Sequence, residues 1–122
     1  MQIKVRYQAA MIQNDHLLLL KVNDRISGQT FWVIPGGGQE ANETEEACVR
    51  REVFEETHLS VEVDRLVLDE QAPCGDFYHR NKTYRCQIMG GQARPGSEPE
   101  VDTAEHSTIS EVGWFDMRNP AT

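Results

Sequence analysis

The sequence predicts an α/β domain, and three observations support that fold class. One helix-forming stretch follows three strand-like stretches, and further strand-like stretches come after it. A glycine-rich loop joins the third strand to the helix, which places a ligand loop between sheet and helix. The chain has 122 residues, of which 39% are hydrophobic and 26% charged, so it suits one domain with a modest core.

The first 38 residues predict a hairpin and a third strand. Apolar and polar side chains alternate from Ile3 to Met11, which indicates a half-buried strand. A turn at 13–16 and a buried return strand at 17–22 complete the hairpin. A short strand at 31–34 then leads into the glycines at 36–38, which permit tight turns and a close backbone approach to a ligand.

A helix is predicted from Thr44 to Thr57. This stretch has no proline or glycine, is rich in Glu, Ala and Arg, and follows polar residues. We expect Ala47, Phe54 and the aliphatic stem of Arg51 to face the core.

Three carboxylates are expected to converge on another side of this helix. At about 100° per residue, Glu52, Glu55 and Glu56 fall in one sector. A solvated acidic stripe is the alternative interpretation, but such stripes usually carry interleaved basic residues. Here only Arg50 and Arg51 intervene, and we expect both to point elsewhere. Mg2+ or Mn2+, which take oxygen ligands, would relieve the repulsion between the carboxylates.

The second half of the chain predicts more strands separated by polar loops. Residues 61–68 and 83–89 read as strands, and 69–80 as a loop overhanging the site. Residues 90–110 form the longest stretch without predicted structure, and such loops are usually functional or mobile. Aromatic and basic side chains near the second of these strands could stack a base or neutralise a phosphate, although sheet packing and solvated surface are their ordinary roles: Phe77, Tyr78, Arg80, Lys82 and Arg85.

Charge argues against one class of partner. The formal net charge is −8, and residues 37–59 contribute −5 of it through seven Glu and two Arg. An acidic protein has no long-range attraction for nucleic acid, so a DNA-duplex or general RNA-binding module is not expected. This does not exclude a short capped or triphosphorylated end as a substrate.

Cysteine usage points to a reducing compartment. Cys48, Cys74 and Cys86 are odd in number and lack metal-type spacing, which favours reduced thiols in the cytoplasm over disulfides or a zinc site. No signal peptide or membrane-spanning run is predicted, so no membrane partner is expected.

The stretch from Gly37 to Leu59 has its glycine, glutamate and arginine residues at fixed spacings that resemble the Nudix box. That motif is the signature of hydrolases acting on nucleoside diphosphates linked to another moiety. The one departure is His58, where the family has glycine. The preceding run from Trp32 to Gly37 also looks like the family's approach to the box. A long motif with fixed spacing is far more specific than a lone glycine triplet. The matching positions are Gly37, Glu43, Arg51, Glu52, Val53, Glu55, Glu56 and Leu59.

The resemblance implies an α/β/α Nudix sandwich with a mixed β-sheet, as a single domain over residues 1–122. It implies a Mg2+- or Mn2+-dependent pyrophosphohydrolase whose small-molecule substrate is a nucleoside triphosphate, ADP-ribose, a nucleotide sugar or a dinucleoside polyphosphate. We expect a monomer or a homodimer. Residues 112–115 resemble the last strand of the family, after which a C-terminal helix normally packs on the sheet. Because the chain stops at Thr122, either it is cut or the domain is minimal.

The family roles carry over by position. By resemblance, Glu52, Glu55 and Glu56 would hold the metal ions, with the Gly37 carbonyl as a further ligand. A pair of charged residues, Glu43 and Arg51, would fix the loop to the helix.

Other site residues come from outside the box. By resemblance to the family, the long loop would bring one more glutamate to the metals, and Glu105 is preferred over Glu111 for it. Glu105 or a helix glutamate would then act as general base. The candidate substrate contacts are Arg6, Tyr78, Lys82 and Trp114, the last of which could instead be a core aromatic.

Two other functional classes are open from the sequence. A non-catalytic Nudix-fold module could sense a nucleotide, although its expected signature is decayed glutamates, and these are intact. A general acidic interaction domain with a solvated helix is the third class.

His58 follows the helix, so we expect its backbone in the left-handed region. A residue with a Cβ in that conformation costs about 1 kcal/mol of folding stability.

Overall fold

The computed structural model describes residues 4–71, 78–96 and 107–118, and these form a mixed β-sheet with a helix packed on it. The strand order is β3-β2-β1-β6-β5, while β4 pairs with β1 and β7 pairs with β2. β1 and β6 run parallel and the other pairs antiparallel, so the α/β class and the mixed sheet are confirmed. The elements are β1 Val5–Gln13, β2 His16–Asp24, β3 Thr30–Val33, β4 Gly36–Gly37, α1 Glu45–Thr57, β5 Ser60–Gln71, β6 Arg80–Gly90 and β7 Ser107–Asp116.

The predicted hairpin is confirmed in β1 and β2. Asn14 and Asp15 occupy the tip with φ of 51° and 63°, and Gln13 pairs with His16. Two left-handed residues give a turn whose twist matches that of the flanking strands, and Asn and Asp tolerate that conformation.

The core lies between the sheet and α1. Ala9 and Met11 of β1 and Leu18 and Leu20 of β2 are fully buried. They pack in one cluster with apolar residues of the helix that are also fully buried, Cys48, Val49 and Val53. The sheet therefore fixes the position of the helix that carries the predicted site.

The glycine loop departs from the predicted turn. Gly36 and Gly37 are extended and pair with Gln8 and Tyr7 as the short strand β4. A Cβ on Gly36 would lie 2.9 Å from the Gln8 Cα, closer than real Cβ contacts. Glycine is therefore required here for a close approach of two backbones, which lets the loop enter the sheet.

The helix begins one residue later than predicted. Thr44 is its N-cap, and the Thr44 hydroxyl accepts a hydrogen bond of 3.1 Å from the Ala47 N–H. The prediction that Phe54 faces the core is wrong, because its side chain is 55% exposed. The buried side instead repeats every four residues, which turns Phe54 outward. The buried helix residues are Cys48, Val49, Glu52, Val53, Glu56 and Thr57.

The helix ends at His58 in the expected left-handed conformation, with φ 66° and ψ 16°. The His58 N–H donates to the Phe54 carbonyl at 2.9 Å, and its ring Nδ1 lies 3.2 Å from the Arg94 carbonyl oxygen. The segment after β6 caps two further carbonyls of the helix. The Arg94 N–H donates to the Thr57 carbonyl at 3.0 Å, and the Gly96 N–H donates to the Glu56 carbonyl at 2.8 Å. This segment thus ties the helix end to the sheet.

Two substitutions of His58 are expected to differ in stability although both remove the imidazole. His58→Ala keeps a Cβ in the left-handed region, whereas His58→Gly relieves that strain. We expect the glycine variant to be more stable than the alanine variant by about 1 kcal/mol in urea unfolding. Equal free energies of unfolding would contradict a strained helix end.

The strands of the second half are longer than predicted. β7 begins at Ser107, so the predicted loop at 90–110 is shorter at its C-terminal end, and β5 extends to Gln71 into the predicted loop at 69–80. Glu105 and Phe77 lie outside the described residues. The outer half of β5 is exposed on both faces, which explains why no clean alternation marks its end in the sequence.

The thiols that are described are free and buried. Burial raises the pKa of Cys48 and of Cys86 to about 12, so both stay protonated at neutral pH and are poor metal ligands. Cys74 lies outside the described residues. Across residues 4–71, 78–96 and 107–118, no helix has the length and apolar character needed to span a membrane. The cytoplasmic location stays a prediction.

Candidate functional site

Arg51 joins the loop after β4 to the helix. Its Nε lies 2.7 Å from Glu43 Oε2 and its Nη2 lies 3.0 Å from Glu43 Oε1, a two-point contact. The same Nη2 donates to the Gly38 carbonyl at 2.9 Å. Glu43 and Arg51, predicted to hold loop and helix together, are therefore in direct contact.

Arg51 also reaches two of the predicted metal ligands. Its Nη1 lies 2.9 Å from Glu52 Oε1 and 3.4 Å from Glu55 Oε2. The expectation that Arg51 points away from the carboxylates is wrong. The planar guanidinium has five N–H donors, so one arginine can serve the loop and the helix glutamates together.

Glu43 and Arg51 each favour the charged form of the other. The hydrogen bond from Arg51 is the main reason why the pKa of Glu43 lies below its ordinary value of 4.5. The hydrogen bond to Glu43 likewise raises the pKa of Arg51. Both groups are largely shielded, with side chains 20% exposed for Arg51 and 13% for Glu43. The pair therefore stays ionised in the folded protein.

This pair makes stability depend on pH in a defined direction. Because the folded-state pKa of Glu43 is depressed, its contribution is complete above the unfolded value near 4.5 and is lost as the pH falls through the folded value. We expect the free energy of unfolding of wild type to exceed that of Glu43→Gln most at pH 7, with the gap narrowing below pH 4.5. Urea unfolding from pH 7 to pH 3 measures this. A gap that stays constant over the whole range would exclude the ion pair as its source.

The three predicted metal-binding glutamates are buried to different degrees. Glu52 is 1% exposed and Glu56 is 0% exposed, while Glu55 is partly exposed. The Gly36 N–H donates to Glu56 Oε1 at 2.9 Å, so the helix carboxylate and the strand β4 backbone are in contact. Burial of carboxylates is costly unless polar or charged partners compensate, and such positions are often functional.

The atoms available at the predicted metal site are all of one chemical kind. Glu52, Glu55 and Glu56 with the Gly37 carbonyl offer only hard oxygen donors, which fits Mg2+ or Mn2+. In the structure, the Gly37 carbonyl accepts a hydrogen bond from the Cys48 thiol at 3.8 Å. In the described part of the chain, no three His, Cys, Asp or Glu side chains are placed to hold a metal ion as they stand. The donors therefore fit chemically, and two of the carboxylates contact Arg51 instead.

The predicted substrate contacts lie in different places. Arg6 lies over the Tyr78 ring at 6.0 Å, and its Nη2 donates to the Ile34 carbonyl at 2.9 Å. Lys82 pairs with Tyr7 in the β1–β6 register, so it faces the opposite side of the sheet from Arg6. The structure thus brings Arg6 and Tyr78 together but not Lys82.

Two candidates already have protein partners. The Lys82 ammonium lies 3.2 Å from Glu45 at the start of the helix, and the Tyr84 hydroxyl also contacts Glu45. Glu111, the alternative to Glu105, lies 3.2 Å from Lys21. Trp114 pairs with Leu18 in the β2–β7 register and is 38% exposed, so it is neither fully buried nor a free surface residue.

Sequence reasoning did not single out Gly36 as a backbone donor to Glu56. Its N–H contacts Glu56 because β4 is held against β1, and strand pairing of a glycine pair leaves no pattern of alternating side chains. The signal available was the preceding proline, which ends β3 and starts the glycine run.

A model of the NUDIX domain matches residues 4–120. The MutT-like protein of Streptomyces ambofaciens is 39% identical over 74 residues, or 55% of this chain and 42% of that protein. Putative nudix hydrolase 1 of Caenorhabditis elegans is 35% identical over 88% of this chain and 30% of its own length. Putative 8-oxo-dGTP diphosphatase 2 of Mycobacterium tuberculosis is 32% identical over 68% of this chain and 60% of its own. The chain thus spans less than two thirds of each of these relatives.

Solved structures share the fold. An ADP-ribose pyrophosphatase from Streptococcus suis is 25% identical with a TM-score of 0.70, over 93% of this chain and 74% of that one. A NUDIX hydrolase from Nitrosomonas europaea has a TM-score of 0.78 at 21% identity, over 97% of this chain and 75% of that one. The second likeness bears on the fold alone.

Proposed function

The chain belongs to the Nudix family, and we propose that it is a divalent-metal-dependent hydrolase. The bond cleaved is the pyrophosphate link of a nucleoside diphosphate joined to another moiety, and the products are a nucleoside phosphate and the phosphorylated moiety. Relatives described as a diphosphatase for an oxidised nucleotide and as an ADP-ribose pyrophosphatase support this class of substrate.

One observation carries the proposal: the glycine segment 36–38, which comprises β4 and the residue after it, is fastened to a helix with three intact glutamates. Arg51 binds the Gly38 carbonyl and Glu43, and Gly36 binds Glu56. These contacts hold the loop backbone and the carboxylates in one place before any ligand arrives. Such preorganisation is what a site needs to stabilise charge that develops during phosphoryl transfer.

Glu52, Glu55 and Glu56, with the Gly37 carbonyl, would hold the metal ions. When bound, Mg2+ or Mn2+ screens the phosphate oxygens, lowers the pKa of water and stabilises the leaving group. A carboxylate of this chain would accept the proton of the attacking water; Glu105, outside the described residues, and the helix glutamates are the candidates. Because the helix stretch is strongly acidic, an anionic substrate needs these cations to approach.

Substrate recognition would use side chains around the sheet. Arg6, held beside Tyr78, has a guanidinium suited to a phosphate or a ring face. Trp114 is exposed enough to stack on a base. Lys82 would first have to leave Glu45, so it is the weakest of the four proposed contacts.

One observation favours the alternative of a non-catalytic nucleotide-sensing module. Arg51 already neutralises Glu52 and Glu55, which is the task a metal ion would otherwise perform. In that case the protein would bind a nucleotide without cleaving it.

A substrate panel separates the two functions. Nucleoside triphosphates, oxidised nucleotides, ADP-ribose, nucleotide sugars and dinucleoside polyphosphates are each incubated with Mg2+ or Mn2+, and with EDTA as control. We expect turnover of at least one of them with metal and none with EDTA. Calorimetric binding of a nucleotide without turnover of any would support the sensing module instead, and turnover in EDTA would refute the metal-dependent mechanism.

A further inference from the structure

We infer that Gln8 is a positioning residue for substrate binding, because it fixes the guanidinium of Arg6. The inference rests on the proposed function, in which Arg6 contacts the substrate. The Arg6 Nε donates to Gln8 Oε1 at 3.1 Å, and both side chains are half-buried. Tyr7, which lies between them on β1, belongs to the core beneath α1. Neighbouring side chains on a strand point to opposite faces, so Arg6 and Gln8 share the face that points away from the helix.

The amide of Gln8 has only one possible orientation between its two partners. Gln8 Nε2 lies 3.0 Å from the Thr83 hydroxyl, and Thr83 pairs with Gln8 across the parallel strands. A guanidinium has only donors, so the amide oxygen must face Arg6 and the amide NH2 must face Thr83. Thr83 is 4% exposed, so water does not compete for its hydroxyl. The sheet therefore fixes Gln8, and Gln8 fixes Arg6.

Arg6 is held by neutral oxygens and keeps donors for a ligand. Its Nη2 donates to the Ile34 carbonyl at 2.9 Å, so the guanidinium is anchored at two points. Among the residues that the structure describes, no carboxylate forms an ion pair with Arg6, and its Nη1 donates no hydrogen bond. Its cross-strand neighbour is Asn81, and Glu70 lies two strand spacings away, roughly 10 Å. A guanidinium with free donors and no acidic partner fits a phosphate oxygen.

The segment that Arg6 contacts also contacts a predicted metal ligand. Ile34 is followed by Pro35 and Gly36, and the Gly36 N–H donates to Glu56 Oε1 at 2.9 Å. The backbone from the Ile34 oxygen to the Gly36 nitrogen spans about 5 Å, so the Arg6 and Glu56 groups bound there lie within about 11 Å of each other. A nucleoside diphosphate is longer than this, so a substrate held at the helix glutamates also reaches Arg6.

Advance ordering of Arg6 has a measurable effect on affinity. A flexible side chain that must be ordered on binding weakens affinity about twofold to tenfold, and the contact with Gln8 avoids this loss. Pyrophosphate in Mg2+ is the probe for calorimetric titration, because every molecule of the substrate panel contains a pyrophosphate link. Gln8→Met should weaken its binding about fivefold, and Arg6→Met about tenfold or more. Gln13→Met, the same change at an exposed position of β1, should keep wild-type affinity.

The double variant separates positioning from a direct contact with the ligand. If Gln8 acts through Arg6, Gln8→Met should weaken pyrophosphate binding no further in protein that already carries Arg6→Met. Urea unfolding should respond differently. Loss of the contact with Thr83 should lower the unfolding midpoint in both backgrounds, because that contact does not involve Arg6. A purely structural role of Gln8 would change the midpoint and leave the affinity for pyrophosphate unchanged.

The inference is overturned if wild type does not bind pyrophosphate in Mg2+, if Gln8→Met binds it as tightly as wild type, or if Gln8→Met weakens binding by the same factor with and without Arg6. Its failure is distinguishable from failure of the hydrolase. Turnover of a panel member together with unchanged affinity in Gln8→Met refutes this inference alone. Pyrophosphate binding that depends on Gln8 through Arg6, without turnover of any panel member, refutes the hydrolase alone.

Discussion

Glu56→Gln is expected to lower kcat/KM for any substrate found in the panel by at least about a hundredfold. The substitution removes the negative charge that would hold a metal ion while keeping the shape of the side chain. Its remaining oxygen can still accept the Gly36 N–H, which lies 2.9 Å from Glu56 Oε1. Because the side chain is fully buried, loss of its charge also removes a desolvation cost, so the free energy of unfolding should fall by no more than about 1 kcal/mol.

Steady-state kinetics and urea unfolding together test this separation. Glu46→Gln is the matched control, since it makes the same change at an exposed position of the same helix. That control should keep wild-type kcat/KM. If Glu56→Gln turns over substrate at the wild-type rate, the assignment of the site to this helix is refuted. If it loses activity only in proportion to lost folded protein, the role of Glu56 is structural.

Arg51→Met is expected to give the largest loss of stability, about 3–5 kcal/mol, the cost of breaking a buried ion pair from one side. Methionine keeps the length and apolar stem of arginine but removes the donors to Glu43, Glu52 and the Gly38 carbonyl. Glu43, only 13% exposed, would then be shielded from water without its counter-ion.

Arg50→Met provides the comparison for this loss. Arg50 is the neighbouring residue on the same helix and is exposed, so its replacement should change the free energy of unfolding by about 0.5 kcal/mol or less. A double-mutant cycle with Glu43→Gln isolates the pair, and a coupling of about 1–3 kcal/mol is expected. Similar losses in Arg50→Met and Arg51→Met would rule out Arg51 as the fastening point of the loop.

Local patterns in the sequence predict much of this fold. The alternation of β1, the polar turn at 14–15 and the proline-free helix each depend on neighbours in the chain, and all three are found nearly where predicted. β4 and the early start of β7 could not be predicted in this way. Gly36–Gly37 is a strand only because it meets β1, and Ser107 pairs with Asp24 from far along the chain. Such pairings depend on tertiary contacts rather than on propensity.

The sequence predicts which residues the candidate site would contain, and it predicts the arrangement of their side chains less well. Spacing along the chain identifies Glu52, Glu55 and Glu56, and helix geometry places them on adjoining sides. The direction of the Arg51 side chain cannot be predicted from sequence spacing. A long flexible side chain has many rotamers, and the contacts with its partners decide which one is occupied. The burial of Glu52 and Glu56 likewise depends on where the loop returns to the helix.

The parallel pairing of β1 with β6 has a consequence for how the molecule assembles. Gln8 and Thr83, which are hydrogen-bonded across these strands, are separated by 75 residues, and the loop and helix of the site lie within that connection. Closing so long a connection is slow, because its entropy must be lost before the contacts form. The helix can form early as a local structure, but the sheet surface on which it packs exists only after β1 and β6 have paired. The ability to bind ligands should therefore appear in the last stage of folding. A nascent chain in which β6 has not yet been synthesised would lack this ability.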